Sequence, residues 1–403
     1  MVENRVLPKD WKWVKVGEYV ISVKGKKPKS VSAIKTNDCS IPYVNIKAFE
    51  RNIIDEYTDG VGCVLCEEGD FLMVWDGSRS GYVGKAIKGA LGSTLVKLNF
   101  PNIENNYAYY FLQSKYIEIN TRAKGVGIPH VDPNLLWNYD LLIPPLTTQQ
   151  AIVSKIEELF SELDKGIENL KIAEAQLKTY RQSVLKWAFE GKLTNDDVKD
   201  GVLPKGWKKI VLGDVCKNVE YGSATKSKEK GKVPVLRMGN IQNGRFDWED
   251  LVYTDDEDEI NRYLLKKDDV LFNRTNSAEW VGKTAIYKGE RPAIFAGYLI
   301  RINRIESLLD ANFITYYLNS LEAKKYGNKV RSFGVNQSNI NGTKLKSYPL
   351  SLPPLEEQKR IVQEIESRLS VADKMEEGIR ESLAQAEALR QSILKKAFEG
   401  RLV

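Results

Sequence analysis

Pro144-Pro145-Leu146 opens a stretch that closes, about fifty residues later, on Ala188-Phe189-Glu190-Gly191-Lys192-Leu193. The stretch returns as Pro353-Pro354-Leu355 through Ala397-Phe398-Glu399-Gly400-Arg401-Leu402, aligned without a gap and with roughly half the pairs identical. A match of that length reports duplication of a structural unit. A second echo precedes each copy. Leu7-Pro8-Lys9-Asp10-Trp11-Lys12 matches Leu203-Pro204-Lys205-Gly206-Trp207-Lys208, and Val16-Gly17-Glu18 then matches Leu212-Gly213-Asp214. Read as a circle, the chain is two full repeats cut once in a linker. Such a cut requires the chain ends to lie close together, so the N- and C-termini are expected to be neighbours. The boundaries that follow are a first globular unit over residues 1–143, a helical spacer over 144–195, a second globular unit over 196–352 and a second spacer over 353–403.

The spacers carry a heptad pattern. Ile156, Leu163, Leu170, Leu177 and Val184 recur every seven residues, with Ile152, Leu159, Gly166, Ala173, Tyr180 and Trp187 on the complementary seam. The second copy places Ile365, Ala372, Ile379, Ala386 and Ile393 on the corresponding seam, with Ile361, Met375 and Leu389 beside it. Arg368, Ser382 and Lys396 interrupt that side, so its packing is expected to be looser. The proline pairs stop the preceding strand and suit a first helical turn. Gly191 and Gly400 stand where a left-handed C-cap belongs. About forty residues at 1.5 Å rise make a rod of roughly 60 Å. Two unrelated surface helices would not need an apolar seam on this scale. The first helix carries the chain from one unit to the other and the second carries it back. An antiparallel coiled coil with approximate two-fold symmetry is therefore expected, holding the units a fixed distance apart.

The 403 residues are 42% hydrophobic and 28% charged, an ordinary composition with enough apolar mass for real cores. No apolar run approaches the roughly 20 residues that span a bilayer, and no cleavable signal opens the chain, which points to the cytoplasm. Cys63 and Cys66 form a lone CxxC; with Cys39 and the sequence-distant His130 this is a poor zinc set, and no metal is expected. The net charge of +6 is too small by itself to indicate nucleic acid; its distribution matters more.

Both globular units read as mixed α/β, with short β-branched runs, glycine turns and one internal helix. Tyr107–Ser114 (YAYYFLQS) matches Phe313–Ser320 (FITYYLNS), and Ile41–Ile46 lines up with Val233–Ile241. Asp70–Lys85 aligns with Asp268–Lys283, both ending Val-Gly-Lys. Inside that window the chemistry diverges. Trp75-Asp76-Gly77-Ser78-Arg79 stands where the second unit has Asn273-Arg274-Thr275-Asn276-Ser277. A second polar loop, Gly334-Val335-Asn336-Gln337-Ser338-Asn339, faces Gly127-Ile128-Pro129-His130-Val131-Asp132. Asn, Gln and Arg are the side chains that read base edges. Each loop taken singly also suits plain turn chemistry. Two such loops per unit, differing between matched units, favour recognition. Basic clusters sit at equivalent places. Lys24, Lys26, Lys27 and Lys29 answer to Lys226, Lys228, Lys230 and Lys232, and Arg122 and Lys124 answer to Lys324, Lys325 and Arg331. Lysine on glycine-containing loops suits phosphate contact, although a solvated lysine face is the usual alternative. Arg237 is a further candidate contact, and the acidic run Asp255-Asp256-Glu257-Asp258-Glu259 is expected to face away from DNA.

The paired Pro-Pro-Leu starts, Ala-Phe-Glu-Gly-(Lys/Arg)-Leu ends, Leu-Pro-Lys-x-Trp openings and Asn273–Ser277 before Val281-Gly282-Lys283 resemble the specificity subunit of Type I restriction-modification systems. The resemblance covers essentially the whole chain. It implies two target recognition domains, each reading one half of a bipartite double-stranded DNA sequence. It further implies that the spacer helices set the half-site separation and dock two methyltransferase (modification) subunits, which two restriction (translocase-nuclease) subunits can join. It implies no catalysis and no cofactor in this chain, S-adenosylmethionine belonging to the modification subunit. The residues agree. There is no GxxxxGK[ST] loop, and Ile143-Pro-Pro-Leu and Leu352-Pro-Pro-Leu lack the polar and aromatic flanks of an adenine methyltransferase motif. A coiled-coil scaffold whose globular ends bind proteins is the other reading.

Overall fold

The computed structural model describes residues 10–195, 198–199, 201–333 and 337–402. The chain divides into two compact units, Met1–Leu170 with Glu381–Val403, and Lys171–Arg380. The two long helices, Leu146–Phe189 and Leu355–Phe398, each contribute a part to both units.

The units repeat one topology. Unit 1 has a four-stranded antiparallel sheet in the order Ile21–Lys24, Leu95–Asn99, Phe71–Val74, Val83–Lys85. Unit 2 builds the same order from Cys216–Tyr221, Leu299–Arg304, Val270–Asn273 and Thr284–Ile286. The strand Phe71–Val74 and its counterpart Val270–Asn273 are buried on both faces, hence the apolar runs Phe71–Val74 and Val270–Phe272. Beside each sheet lies a parallel pair, Ile41–Val44 with Gly89–Leu91 and Val233–Leu236 with Ile294–Phe295. This parallel pairing makes both units mixed α/β. Gly25 and Gly222 sit where the chain leaves the first strand of each sheet. A Cβ there would lie 2.2 Å from the carbonyl oxygen of Gly92 or of Phe295, so neither position accepts a side chain.

A two-stranded ribbon explains why the opening motif and the Pro-Pro-Leu motif repeat together. Lys12–Lys15 pairs antiparallel with Asp140–Ile143, and Lys208–Val211 with Pro349–Leu352. The strand after each opening motif thus lies against the strand that runs into the proline pair. The long helix starts on the second proline, whose carbonyl accepts from Gln149 N–H in unit 1 and from Gln358 N–H in unit 2. Each glutamine side chain then turns back. Gln149 donates to Pro144 O (2.8 Å) and accepts from Glu104 N–H (2.9 Å). Gln358 donates to Pro353 O (2.9 Å) and Leu308 O (2.8 Å) and accepts from Asp310 N–H (2.9 Å). Glu104 and Asp310 are the N-caps of the internal helices Asn105–Thr121 and Ala311–Leu318. In unit 2 the matched helical segment stops at Leu318, and Ser320 caps a second helix, Leu321–Val330.

The far ends of the long helices are closed alike. Gly191 and Gly400 have φ of 80° and 69°, and Lys192 N–H and Arg401 N–H reach back to the carbonyls of Trp187 and Lys396. A Cβ on Gly191 would meet Pro204 and Trp207, and one on Gly400 would meet Trp11. The opening-motif tryptophan therefore packs at a helix end in each unit. In unit 1 this brings the beginning and end of the described chain together, while the terminal residues Met1–Lys9 and Val403 lie outside the described residues.

Within unit 1, Ile152, Val153, Ile156 and Phe160 share a core with Ile393, Leu394 and Ala397. Within unit 2, Val184, Leu185, Ala188 and Phe189 share one with Ile361, Val362 and Ile365. The start of one helix lies with the end of the other, an antiparallel arrangement. Arg390 pairs with Asp164 in unit 1 and Arg181 with Asp373 (2.6 Å) in unit 2, matched positions of the repeat. Of the two heptad lines only one is buried throughout the second helix, at Ile365, Ala372, Ile379, Ala386 and Ile393. In the first helix Ile156, Leu177 and Val184 are buried and Leu163 and Leu170 half-buried. Trp187, Met375 and Leu389, expected in the seam, are exposed, because two helices in contact enclose a single strip.

Gln358→Ala strands the Asp310 N–H and two carbonyls, and is expected to lower the unfolding free energy by roughly 1–3 kcal/mol. A lower urea midpoint at constant m value would show it. An unchanged midpoint would mean that the junction contributes nothing.

Candidate nucleic-acid interface

In both units the two divergent loops come together at one end of the four-stranded sheet. In unit 1 Gly77 N–H donates to Pro129 O (2.7 Å) and Val131 N–H to Trp75 O (2.9 Å). His130 forms bridges with Asp76 and with Lys124. In unit 2 the loops pair as a small sheet, Thr275 opposite Asn339 and Asn276 opposite Ser338, with Ser332–Phe333 on the far side. Ile340 N–H donates to Arg274 O (2.9 Å). Asn336, with Gly334 and Val335, lies outside the described residues; Gln337 is exposed.

One contact in this frame changes its chemistry between the units. Lys24 and Tyr221 each precede the crowded glycine that ends the first strand. In the loop beyond, the structure displaces the ungapped alignment by one residue. Arg274 takes the place of Trp75, its N–H donating to Tyr298 O and its carbonyl accepting from Ile340 N–H. Trp75 does the same with Thr94 O and Val131 N–H, and Asp76 is the next residue along. In unit 1 the pair is ionic, Lys24 Nζ to Asp76 Oδ2 at 2.8 Å. In unit 2 the Arg274 guanidinium lies over the Tyr221 ring, 4.8 Å from its centroid, and donates to Gly297 O (3.3 Å). The strand residue changes from a lysine to a tyrosine, and its loop partner from a carboxylate to a guanidinium one position earlier in the loop.

Several candidates turn inward. Asn273 is fully buried; its amide donates to Trp280 O (3.4 Å) and accepts from Thr275 N–H (3.3 Å). Thr275 and Ser338 are buried as well, and Asn339 donates to the Thr275 hydroxyl (2.7 Å). These residues hold the loop and present nothing to a groove. Trp75 belongs to the core margin, its ring 5.9 Å from that of Trp137. Arg79 is exposed but anchored, paired with Glu50 (2.9 Å) and lying 4.0 Å over Tyr82. Ser78, Asn276 and Ser277 remain at the loop tips, exposed or half-exposed.

The basic clusters divide in the same way. Lys26, Lys27, Lys29, Lys226 and Lys230 are exposed and form no ion pair among the described residues. Lys228 pairs with Asp255 (3.0 Å) and Lys232 with Glu257 (2.5 Å). The acidic run is thus a neighbour of the second cluster rather than turned from it, because Val252–Thr254 pairs with Val233–Leu236 and delivers the run alongside. The Lys228 ammonium accordingly holds the Asp255 carboxyl below its usual range. Lys124 is paired with Asp132 (2.9 Å), Arg122 with Glu118 (3.4 Å), and Arg237 with Asp250 (3.1 Å). Arg331 donates to Ala278 O (2.9 Å), bracing the Asn273–Gly282 loop from outside. Among the described residues no group of three or more His, Cys, Asp or Glu is placed to hold a metal, and no helix is long and apolar enough to cross a membrane. Burial pushes the Cys66 thiol up to about 11 and Cys216 to about 12.

Sequence reasoning passed over two features. Val126 and Ile128 are fully or largely exposed at the tip of the unit 1 loop. Trp280, at the end of the unit 2 loop, is 46% exposed with Lys283 above it. Ile128 and Trp280 lie within windows whose polar residues suggested recognition, and Val126 immediately precedes one of them.

Two units of one topology, each with a polar loop pair at the end of its sheet and each holding parts of both long helices, define a duplicated architecture. A family model for the Type I restriction modification DNA specificity domain matches residues 8–172 and again 204–385. The chain belongs to this family. It is 29% identical to the Type I restriction enzyme MjaVIII specificity subunit of Methanocaldococcus jannaschii, over 98% of this chain and 94% of that one. It is 30% identical to the StySPI specificity subunit of Salmonella potsdam, over 74% of this chain and 66% of that one. The fold is shared with the HsdS subunit of Thermoanaerobacter tengcongensis, with a TM-score of 0.58 at 20% identity, covering 99% of each chain. It is also shared with a chain from a study of complex assembly and conformational transition of the type I R-M system. There the TM-score is 0.76 at 20% identity, covering 98% of this chain and 100% of that one.

The split between frame and tip is testable by stability. Asn273→Ala is expected to cost roughly 1–3 kcal/mol by stranding buried partners, and Asn276→Ala no more than about 0.5 kcal/mol. Denaturant unfolding of the two variants measures both. Equal losses would remove Asn273 from the frame.

Proposed function

We propose that this chain is the DNA-reading, non-catalytic subunit of a Type I restriction-modification assembly. Its two recognition domains, residues 1–143 and 196–352, each read one half of a bipartite duplex target. The observation that carries the reading is the matched frame with exchanged loop chemistry, Lys24–Asp76 against Tyr221–Arg274. A pair of protein-binding knobs related by duplication has no need to change the contact chemistry at the same end of a shared frame. Two half-site readers do, because different bases require different donors and acceptors. Ser78 in unit 1 and Asn276, Ser277 and Gln337 in unit 2 are the proposed base-edge contacts. Lys26, Lys27, Lys29, Lys226 and Lys230 are the proposed phosphate contacts.

The helical spacers, residues 144–195 and 353–403, set the half-site separation and dock two methyltransferase subunits in this reading. Exposed apolar side chains along them support docking: Ile172, Trp187, Val371, Met375 and Leu389 are each at least 39% exposed. They offer apolar area on the helices that a docked partner would cover. Methyl transfer, S-adenosylmethionine and any DNA cleavage belong to the partner subunits.

The test is modular exchange in a host that carries the modification subunits. Replacing residues 196–352 by the equivalent unit of a relative with a different target should change one half of the methylated motif and leave the other half and the spacing intact. Genome-wide methylation mapping reads the result directly. Change in both halves, or in neither, would overturn the assignment of one unit to one half-site.

A further inference from the structure

Val126 and Ile128 stand out to solvent at the tip of a fixed hairpin in unit 1. Lys124 N–H donates to His130 O (2.9 Å) and His130 N–H to Lys124 O (2.7 Å), which closes a loop over residues 125–129. Gly125 has a φ of 109°, and a Cβ there would lie 2.4 Å from Ile128 O, so the loop folds tightly on that glycine. The stem is held on both sides. Gly77 N–H donates to Pro129 O (2.7 Å), and the Lys124 ammonium pairs with Asp132 (2.9 Å), the N-cap of the helix Pro133–Trp137. Asn120 donates to Ser78 O and Ser80 O, both at 3.0 Å, and so ties the neighbouring loop to the internal helix. On this support Val126 is wholly exposed and Ile128 68% exposed.

Unit 2 repeats the hairpin with a different tip. Ser332 pairs with Asn339 as Lys124 pairs with His130, and Ile340 and Val131 follow with the same bond to the neighbouring loop. There Phe333 is 79% exposed, with the Arg331 guanidinium 5.1 Å from its ring centroid. Each unit thus holds apolar carbon in water at the same end of its sheet, which is unfavourable for the chain alone. The surroundings in unit 1 are cationic. Lys24 reaches Asp76, whose backbone bridges to His130, and beyond Gly25 the exposed Lys26, Lys27 and Lys29 follow from this end of the sheet, with no ion pair among the described residues. An apolar tip beside free ammonium groups fits a polyanion that also displays an apolar group.

We infer, on the reading proposed above, that Val126 and Ile128 read the C5-methyl group of a thymine in the half-site of unit 1. A two-stranded hairpin suits the major groove, about 12 Å wide, and not the minor groove, about 6 Å wide. Base edges there present donors and acceptors, and the one apolar group among them is the thymine methyl. Valine and isoleucine side chains can neither donate nor accept, so the methyl is the feature they can select. Ser78, in the loop bonded to the hairpin, supplies the polar contact alongside. The bonds of the stem fix the tip before binding, which limits the entropy lost on contact.

The experiment uses the full chain assembled with its modification subunits. The duplex carries the motif found by methylation mapping, and the half left unchanged by exchange of residues 196–352 belongs to unit 1. Fluorescence anisotropy measures affinity for this duplex, for a scrambled duplex, and for duplexes in which each thymine of that half is replaced singly by deoxyuridine. The replacement removes the methyl and keeps the base pairing. At one thymine or more it should weaken wild-type binding about fourfold, the value of one buried methyl. Val126→Ala with Ile128→Ala should weaken binding to the motif by about fourfold or more. The same variant should leave the scrambled duplex unaffected and no longer distinguish thymine from deoxyuridine. Its thermal midpoint should stay near wild type, since both side chains are exposed. A wild-type complex that prefers the motif but binds every deoxyuridine duplex equally well would overturn the methyl reading and leave the proposed function standing. So would a variant that still distinguishes the two bases, or one that weakens motif and scrambled duplexes alike. Loss of the modification subunits from the variant, seen by native mass spectrometry, would make the tip a protein contact and overturn it as well. A wild-type complex with no preference for the motif would sink the proposed function and the methyl reading together.

Discussion

Two buried glutamines decide where a long helix leaves a globular fold in this protein. Gln149 and Gln358 are nearly or wholly enclosed, and each joins the proline pair to the N-cap of the internal helix. A buried amide is tolerable only when its donors and acceptors are met, and leaving them unmet costs more than making them returns. The geometry of three elements is therefore coupled: the strand that ends at the prolines, the helix that starts on them, and the internal helix beside them. The ribbon formed with the strand after each opening motif then follows. The tryptophan before that strand closes the end of a long helix. Duplicate the junction, and the circular order of the sequence is a physical consequence.

Energy and geometry are separated along the helices. The Arg390–Asp164 and Arg181–Asp373 pairs are partly solvated, and exposed ion pairs of this kind contribute about 0–1 kcal/mol each. They are too weak to hold helices together. Burial of Ile156, Val184, Ile365 and Ile393 does that, at about 1.5–3 kcal/mol per fully buried side chain. Apolar contact is indifferent to a slip of one heptad, because the pattern repeats. Charged pairs at fixed positions are not indifferent, and their value is in registry.

The frame was legible in the sequence because its signals are local or periodic. A seven-residue period, a proline pair and a glycine after the last turn need no knowledge of distant neighbours. The meeting of the divergent loops was legible only through the repeat, which showed two windows varying together. Which side chains point outward was not. Asn273, Thr275 and Ser338 look like recognition residues by type, and are buried because a strand alternates its faces and a second strand covers one of them. The partnership of Lys228 with Asp255 depends on pairing between strands far apart in sequence. Arg79 over Tyr82 and Lys283 over Trp280 stand at matched places with cation and ring exchanged, which the ungapped alignment of the two windows hides.

That last difference bears on how a duplicated protein diversifies. Residues that close the frame are constrained twice, since each has a counterpart performing the same task. Loop residues satisfied by one another within a unit can be exchanged as a set. An ion pair can become a cation over a ring, as Lys24–Asp76 and Tyr221–Arg274 show, without disturbing the strand that leads to it. A change of that kind alters the surface potential at one end of the molecule while leaving the junction glutamines and the helix registry untouched. Divergence is then cheapest at the sheet ends, where the two units differ, and most costly at the proline junctions, where they do not.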